Sequence, residues 1–416
     1  MTEAGLAESG ARIRAAVVAW GSRTVEARLG LLTRWASQWA SPLKTFPADV
    51  KEVAEGCGLS PQSVAWGLST TCLAIQRGLR DLIARSVSPP EQLDSWVEGH
   101  QLRARPFALT AQVWASTVPT SGWVPVIASL AIGSGAVIKA PAAVRPAADL
   151  LRRSLLAQDP IFGSLLEVHT WEGGTATDAQ LVETCDAVVV SGGRDAVQRY
   201  STLTAGVTPL VAFGPGESLA VIPASAECGE TLMSALALDV SAYDQLGCLS
   251  PVAVWVEDAE HHGPALAAAL AAALGELAVS MPRGVVPAGA AAEIVQRRGT
   301  ASFLGQAFDA PGALVCWEPT PYTSSCPRFR TVALHSYSGG EDGLVARIKD
   351  WAPRDWRLHC AGVAGPMSLR ARYADALSPL GVSRVCSPGT MQAPPASWHH
   401  DGMRWLSRLV RYVDLG

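Results

Sequence analysis

The clearest chemistry in the chain sits in the connection Ser241-Ala242-Tyr243-Asp244-Gln245-Leu246-Gly247-Cys248-Leu249-Ser250-Pro251. It follows a helix-like run and precedes an apolar strand, Val252 to Val256. A cysteine held out at the end of a sheet is reachable by a substrate, and its thiolate is a strong nucleophile. No His or Lys adjoins Cys248 in sequence, so the loop's backbone dipoles are the candidate for lowering its pKa. On spacing alone the alternative is one more small buried thiol. The nine cysteines (Cys57, Cys72, Cys185, Cys228, Cys248, Cys316, Cys326, Cys360 and Cys386) are odd in number, scattered, and free of any CxxC pattern. That argues against a disulfide framework and against a zinc site. His261-His262 and His399-His400 lack the partnered Cys or carboxylate spacing of a metal centre. No GxSxG occurs, so His399-His400-Asp401 does not read as part of a hydrolase triad.

The elements around Cys248 must place it. Residues 1 to about 100 read as mainly helical, with apolar residues at helical spacing in Ala11 to Trp20 and Thr24 to Trp39. Ser60-Pro61 is an N-cap followed by proline at the first helical position, opening a helix through about Ala84. Trp20, Trp35, Trp39 and Trp66 are expected to pack rather than to bind. From Phe107 strands and helices alternate. Strands are predicted at Phe107–Ala115, Ala136–Lys139, Leu166–Trp171, Ala187–Val190 and Leu210–Phe213, with helices between them. That order is the signature of parallel-sheet units. A second unit begins near Ser218, with strands at Leu219–Ile222, Val252–Val256, Ala313–Cys316, Arg330–His335, Arg357–Val363 and Arg384–Cys386, and a last helix near Gly402–Tyr412.

In open α/β sheets ligands bind where strands end and glycines let backbone N–H groups approach. Ser191-Gly192-Gly193 and Gly214-Pro215-Gly216-Glu217-Ser218 stand at such ends, although a tight strand-to-helix turn needs the first pattern too. Lys139 closes a strand, where a plain surface lysine is the alternative. Asp244 is expected to cap its loop, and Glu217 to be solvated.

With 416 residues, 49% of them hydrophobic and 17% charged, the chain can bury two or three domains. The net charge of -4 and the lack of a Lys/Arg run give no case for nucleic acid. No secretory signal pattern opens the sequence, and the apolar runs Val124–Ile138 and Pro264–Leu274 are short for a membrane span. A cytoplasmic location without a membrane span is expected.

Taken in order, strand-Lys139-Ala140-Pro141, strand-Ser191-Gly192-Gly193, the Gly-rich turn and Gln245-Leu246-Gly247-Cys248 resemble the aldehyde dehydrogenase superfamily. Within it, Thr117-Val118-Pro119, Gly133 to Pro141, Asp244 to Pro251, Gly381 to Val385 and Trp398 to Gly402 are most similar to acyl-CoA reductases of the LuxC type. The resemblance spans roughly residues 105 to 412 and is weak before 100, where a shortened region is expected. It implies an α/β, aldehyde-dehydrogenase-like fold: two Rossmann-like α/β domains with the active-site cleft between them and a helical N-terminal region. The expected divisions are a helical part at 1–105, a nucleotide-binding domain at 106–218, a catalytic domain at 219–380, and a C-terminal segment at 381–416 that packs back on the domains.

Carried over by position, Cys248 matches the nucleophile and Lys139 the lysine that holds the adenine ribose. Ser191, Gly192 and Gly193 match the turn beside the cofactor phosphates, and Phe329 the aromatic beside the nicotinamide ribose. Four departures stand out. Phe213 takes the place of the Glu that activates hydrolytic water in aldehyde oxidisers. Thr117 takes the place of the Asn that donates to the oxyanion. The ribose-binding Glu near Phe329 is absent, with Pro327 nearest. Ala142 stands where NAD-preferring members carry a Glu, and Arg145 is placed to pair with a 2'-phosphate, which favours NADPH over NADH. The resemblance implies NADPH-dependent reduction of an acyl-CoA or carrier-bound acyl thioester to an aldehyde through a Cys248 acyl-enzyme. An acyltransferase or carrier-protein partner and a homodimer follow from the same resemblance. The alternatives are a family member that has lost turnover and serves as a binding or scaffold partner, and an aldehyde-oxidising dehydrogenase.

Overall fold

The computed structural model describes residues 3–43, 45–97, 99, 101–321, 326–353 and 356–416. The chain forms two compact units. The first gathers the described residues of Met1–Cys57 with Ala65–Pro215 and Pro395–Gly416; the second gathers Gly58–Val64 with Gly216–Pro394.

The first unit is built on five parallel strands: Leu109–Val113, Gly135–Lys139, Leu166–His169, Ala187–Ser191 and Leu210–Phe213. Across the sheet they run third, second, first, fourth, fifth in chain order. The order reverses between Leu109–Val113 and Ala187–Ser191, the switch point at which such sheets open a crevice at their carboxyl ends. Ala136-Val137-Ile138 and Ala187 to Val190 are buried throughout, as unbroken apolar runs must be when both faces of a parallel sheet are covered. The helix Trp123–Ile132 is apolar almost all round, and it is a core helix. It stops at Gly133, whose φ of 110° suits glycine and returns its N–H to Leu130 O.

The helix Glu3–Gly21 lies against this sheet through Leu6 and Ile13. Trp20 and Trp35 are fully buried packing residues, and Trp20 Nε1 donates to Leu130 O at 2.8 Å. The predicted cap also forms: Ser60 Oγ accepts from Ser63 N at 3.2 Å, and the helix Pro61–Ser86 follows.

The second unit carries seven strands in the spatial order Arg384–Cys386, Leu358–Val363, Glu217–Ile222, Pro251–Glu257, Thr331–Tyr337, Ala313–Trp317 and Gln306–Ala310. The first six are parallel and the last is antiparallel. One of its cores joins Leu219, Val221, Trp255 and Tyr337 to Leu344, Ile348 and Tyr373 from covering helices. The helix Gly263–Ser280 is long and apolar enough to cross a membrane by length and composition alone. Here Leu266, Ala267, Leu270, Ala271 and Leu274 form its buried face, the pattern of a core helix.

The sequence and the structure differ at identifiable places. Instead of a last helix near Gly402–Tyr412, a short 3-10 turn at Trp405–Leu409 leads into the strand Val410–Asp414. That strand pairs antiparallel with Leu102–Pro106, a partner 300 residues away in the chain that no local pattern reveals. Arg330, predicted to open a strand, stands just outside the observed Thr331–Tyr337, with a left-handed φ of 64°. Ala48–Cys57, Ala288–Leu304 and Gln306–Ala310 are elements with little periodic signal. The second of these buries only Ile294, Arg297 and Ala301, and the third is an edge strand exposed at Gln306 and Asp309.

Gly135 marks where the N-terminal helix touches the sheet most closely: an added Cβ would stand 2.2 Å from Ile13 Cγ2 and 3.1 Å from Leu165 O. Gly135→Ala is therefore expected to destabilise the protein by about 1–3 kcal/mol, the usual cost of overpacking. Urea unfolding should show a lower midpoint with an unchanged slope.

Candidate active site

Because six strands of the second sheet run parallel, their amino-terminal ends share one edge. Glu217 and Ser218, Pro251, Thr331, and Leu358 with His359 all open strands there. The Cys248 loop enters at this edge, three residues before Pro251. Ser218 Oγ donates to Cys248 O at 2.8 Å, fixing the loop to the neighbouring strand. Cys248 is half-buried. Its Sγ and a ring nitrogen of His359 lie within 4.8 Å of each other. His359 is only 1% exposed. Its ring fills the space over Gly216, where an added Cβ would stand 2.3 Å from it. The basic group absent beside Cys248 in sequence thus arrives from a strand more than a hundred residues later.

The loop's shape comes from an uncommon backbone. Tyr243, Asp244 and Gln245 have φ of 53°, 51° and 64°, and Arg328, Phe329 and Arg330 have 64°, 53° and 64°. Left-handed conformation costs a non-glycine residue about 1–3 kcal/mol and persists only where its surroundings dictate it. Here the two triplets hold each other. Arg330 Nε donates to Asp244 Oδ1 at 2.8 Å, and both side chains are at most 1% exposed. Asp244 Oδ2 accepts from Gly284 N at 2.8 Å. Gln245 Nε2 donates to Pro251 O and Thr331 O, and Gln245 Oε1 accepts from Thr331 N, each at 2.9 Å. Arg328 donates to Gln245 O at 3.3 Å and pairs with Glu217. Gly247 packs against the Gln392 side chain, which also donates to Ser250 Oγ. Asp244 is thus a buried ion-pair partner as well as a loop cap. Glu217 is not solvated as the sequence suggests: burial pushes its carboxyl pKa up, against the pull of Arg328.

In the first unit the chemistry lies at the opposite, carboxyl-terminal edge. The loop after Leu109–Val113 carries Thr117, exposed, in a bend closed by Trp114 stacked on Gly122. The strand Ala187–Ser191 runs into Gly192 and Gly193 and then the helix Arg194–Leu203. These two loops flank the switch point. Gly192 N is tied to Phe213 O at 3.2 Å, whereas an added Cβ at Gly193 would meet nothing within 4 Å. That open backbone at a helix N-terminus suits phosphate oxygens.

Lys139, at the end of its strand, is not a surface lysine. It is 7% exposed, and its Nζ lies 3.0 Å from Asp178 Oδ1. Asp178 is fully buried and also accepts from Trp171 Nε1, Gly174 N, Tyr200 OH and Arg199 Nε at 2.7–2.8 Å. Burial opposes its charge, yet these donors together hold its carboxyl well below the usual range. Arg145 opens the next helix, donating to Asp149 Oδ2 at 2.7 Å and to Thr170 Oγ1 at 3.3 Å. Phe213 is 3% exposed, and His400 stacks on it at 4.1 Å. Trp398 stacks on His400 at 4.5 Å, so this histidine is part of an aromatic stack.

The structure therefore groups Thr117, Lys139, Arg145, Ser191, Gly192 and Gly193 along one edge of the first unit. It ties Cys248 and Phe329 together in the second through Gln245 and Arg328. His359, Ser218 and Asp178 are the residues that sequence reasoning passes over. Of these only His359 carried a signal, a lone histidine opening an apolar strand.

The architecture is that of an aldehyde dehydrogenase. Aldehyde dehydrogenase 21 from Physcomitrella patens superposes with a TM-score of 0.75 at 13% identity, covering 100% of this chain and 90% of that one. An NADP-dependent enzyme from E. coli superposes with a TM-score of 0.74 at 15% identity, covering 100% and 91%. Within that fold the family model for acyl-CoA reductase (LuxC) matches residues 20–412, and the chain belongs to this family. A curated relative, long-chain acyl-protein thioester reductase 2 of Photobacterium leiognathi, is 23% identical over 396 residues, 92% of this chain and 79% of the relative.

Asp178 gives a pH-dependent prediction. Its folded pKa lies below the unfolded value of about 3.9, so its stabilising contribution is complete above that value and is lost as pH falls through the folded pKa. Asp178→Asn should lower the denaturant midpoint strongly at pH 7, and the gap to wild type should narrow below about pH 4.

Proposed function

We propose that this protein is an NADPH-dependent reductase of long-chain acyl thioesters, forming an aldehyde through an acyl-enzyme on Cys248. The carrying observation is Cys248 beside buried His359 on a locked loop, in a chain of the acyl-CoA reductase family. The name of the Photobacterium leiognathi relative points to a protein-bound acyl donor, and acyl-CoA is the alternative. An acyl carrier or acyltransferase partner fits that donor, and we infer a homodimer.

The chain's own groups have these roles. Cys248 attacks the thioester carbonyl, forming a new C–S bond as the donor's C–S bond breaks. His359 takes the Cys248 proton and returns it to the departing thiol. Backbone N–H groups of the Cys248 loop are the donors to the carbonyl oxygen as it becomes an oxyanion, and the family resemblance alone assigns the Thr117 hydroxyl to the same task. Ser191, Gly192, Gly193 and Lys139 would hold NADPH, which would supply the hydride; by the family resemblance Phe329 would be the aromatic for the nicotinamide ribose. Lys139 is already held by Asp178, which would keep its ammonium in place for a ribose. The exposed Ala142 and the partly exposed Arg145 leave room for a 2'-phosphate, which favours NADPH over NADH. With buried Phe213 at the place of the water-activating Glu, hydrolysis of the acyl-enzyme has no base there, which supports reduction over aldehyde oxidation.

The test is incubation with a long-chain acyl-CoA and NADPH, following NADPH absorbance, beside mass spectrometry of a nucleotide-free sample. An acyl adduct on Cys248, with NADPH loss abolished by Cys248→Ala, is expected. Absence of an adduct with both acyl-CoA and carrier-bound acyl donors would leave a binding or scaffold role as the better account. His359→Gln should slow acylation by about 10²-fold or more, the usual worth of a general base. Gly216→Ala, which displaces the ring without removing it, should slow the same step.

A further inference from the structure

A second pair of thiols lies in the second unit, one residue beyond His359. Cys360 and Cys386 sit on adjacent parallel strands, with Cys360 beside Arg384 and Gly362 beside Cys386 in the register. The four positions share one face of the sheet. Met391 fills the space over Gly362, opposite Cys386, and the two sulfurs stand 3.8 Å apart across the diagonal. Cys360 is fully buried and Cys386 is half-buried.

The surroundings favour a thiolate at Cys386. Its pKa is pushed down, first by the hydrogen bond with Cys360, then by Arg384, Thr390 and Arg370, against the effect of burial. Arg384 also lies 3.6 Å from Cys360 Sγ and is held there by Met391 O and Thr390 O. Elsewhere, burial pushes Cys72 and Cys316 up to about 12. An accessible thiol with thiolate character beside a buried one is the arrangement in which the first reacts and the second resolves.

We propose that Cys360 and Cys386 are a redox-responsive dithiol, open to exchange with a small organic disulfide such as oxidised glutathione, and that the resulting bond slows acylation of Cys248. The Cys386 thiolate attacks one glutathione sulfur, forming a mixed disulfide and releasing one glutathione thiolate. Cys360 then loses its proton and attacks Cys386 Sγ, releasing the second glutathione. The released thiolates take up the protons. Two cysteine thiols are oxidised by two electrons, and one glutathione disulfide is reduced to two thiols. A disulfide needs its sulfurs at about 2.0 Å, so the two strands must draw together. The strand that moves carries His359. Its Cys360 N–H also donates to Ser218 Oγ at 3.2 Å, and that hydroxyl holds Cys248 O. The effect on acylation rests on Cys248 being the nucleophile; formation of the bond does not.

The experiment treats the folded full chain with oxidised glutathione, blocks residual thiols and maps peptides by mass spectrometry. A Cys360–Cys386 cross-link is expected, reversed by dithiothreitol. Cys360→Ser should instead retain glutathione on Cys386, and Cys386→Ser should yield neither the cross-link nor glutathione on Cys360. Circular dichroism checks that each variant is folded, with Cys360→Ala as the substitute if the serine is not tolerated. Glutathione confined to other cysteines, with Cys386 untouched, would overturn the dithiol. Acylation of Cys248 in the oxidised protein should be slower by about fivefold or more. An unchanged rate with the cross-link in place would overturn the coupling, whereas no acylation in either state would count against the reductase reading alone.

Discussion

The buried pair of Arg330 and Asp244 holds together a structure that local preference would undo. Six residues in two triplets adopt a left-handed backbone, and none is glycine. At about 1–3 kcal/mol each, that strain rivals the net stability of an ordinary domain. The pair does not itself supply that energy, since two desolvated charges roughly break even. What it supplies is specificity: with Gln245 clamping both Pro251 and Thr331, any other path for the Cys248 loop would break these buried hydrogen bonds. A cysteine on such a loop keeps its place relative to Ser218 and His359 without needing a ligand to order it.

The two units put opposite sheet edges to use. In the first, glycines and helix starts follow strand ends, the general solution for a phosphate-bearing ligand. In the second, the reactive residues gather where strands begin, next to the starts of four neighbouring strands. The first edge is a set of backbone donors. The second is a set of side chains, each projecting from a rigid strand end, and that is what nucleophile chemistry requires.

The alternation of apolar strands and helices was legible because each parallel strand buries both faces and so spells itself as an unbroken run. Helix bounds such as Arg145–Gln158 and Met367–Leu377 follow from proline and apolar spacing. Cys248 was legible through its loop and the ordered motifs around it. His359 was not, because its relation to Cys248 exists only through the pairing of Leu358–Val363 with Glu217–Ile222. Asp178 was hidden for the same reason: its five donors come from three separate stretches of chain, and in sequence it is one carboxylate on a short helix. The pairing of Leu102–Pro106 with Val410–Asp414 is the extreme case, since a strand without a neighbour has no pattern of its own.

That last pairing bears on how the chain is made. The first unit is discontinuous: its sheet is encoded before Pro215, yet it also includes Pro395–Gly416. The second unit needs only Gly58–Val64 and Gly216–Pro394. On the ribosome, the later-encoded unit has all of its residues available while the earlier one still lacks its final strand, and the antiparallel seam closes last. Folding order is therefore inverted relative to the usual N-terminal-first course. Until Val410–Asp414 has been made, the edge of Leu102–Pro106 stays open for pairing, a period in which a chaperone or a second nascent copy competes with that strand.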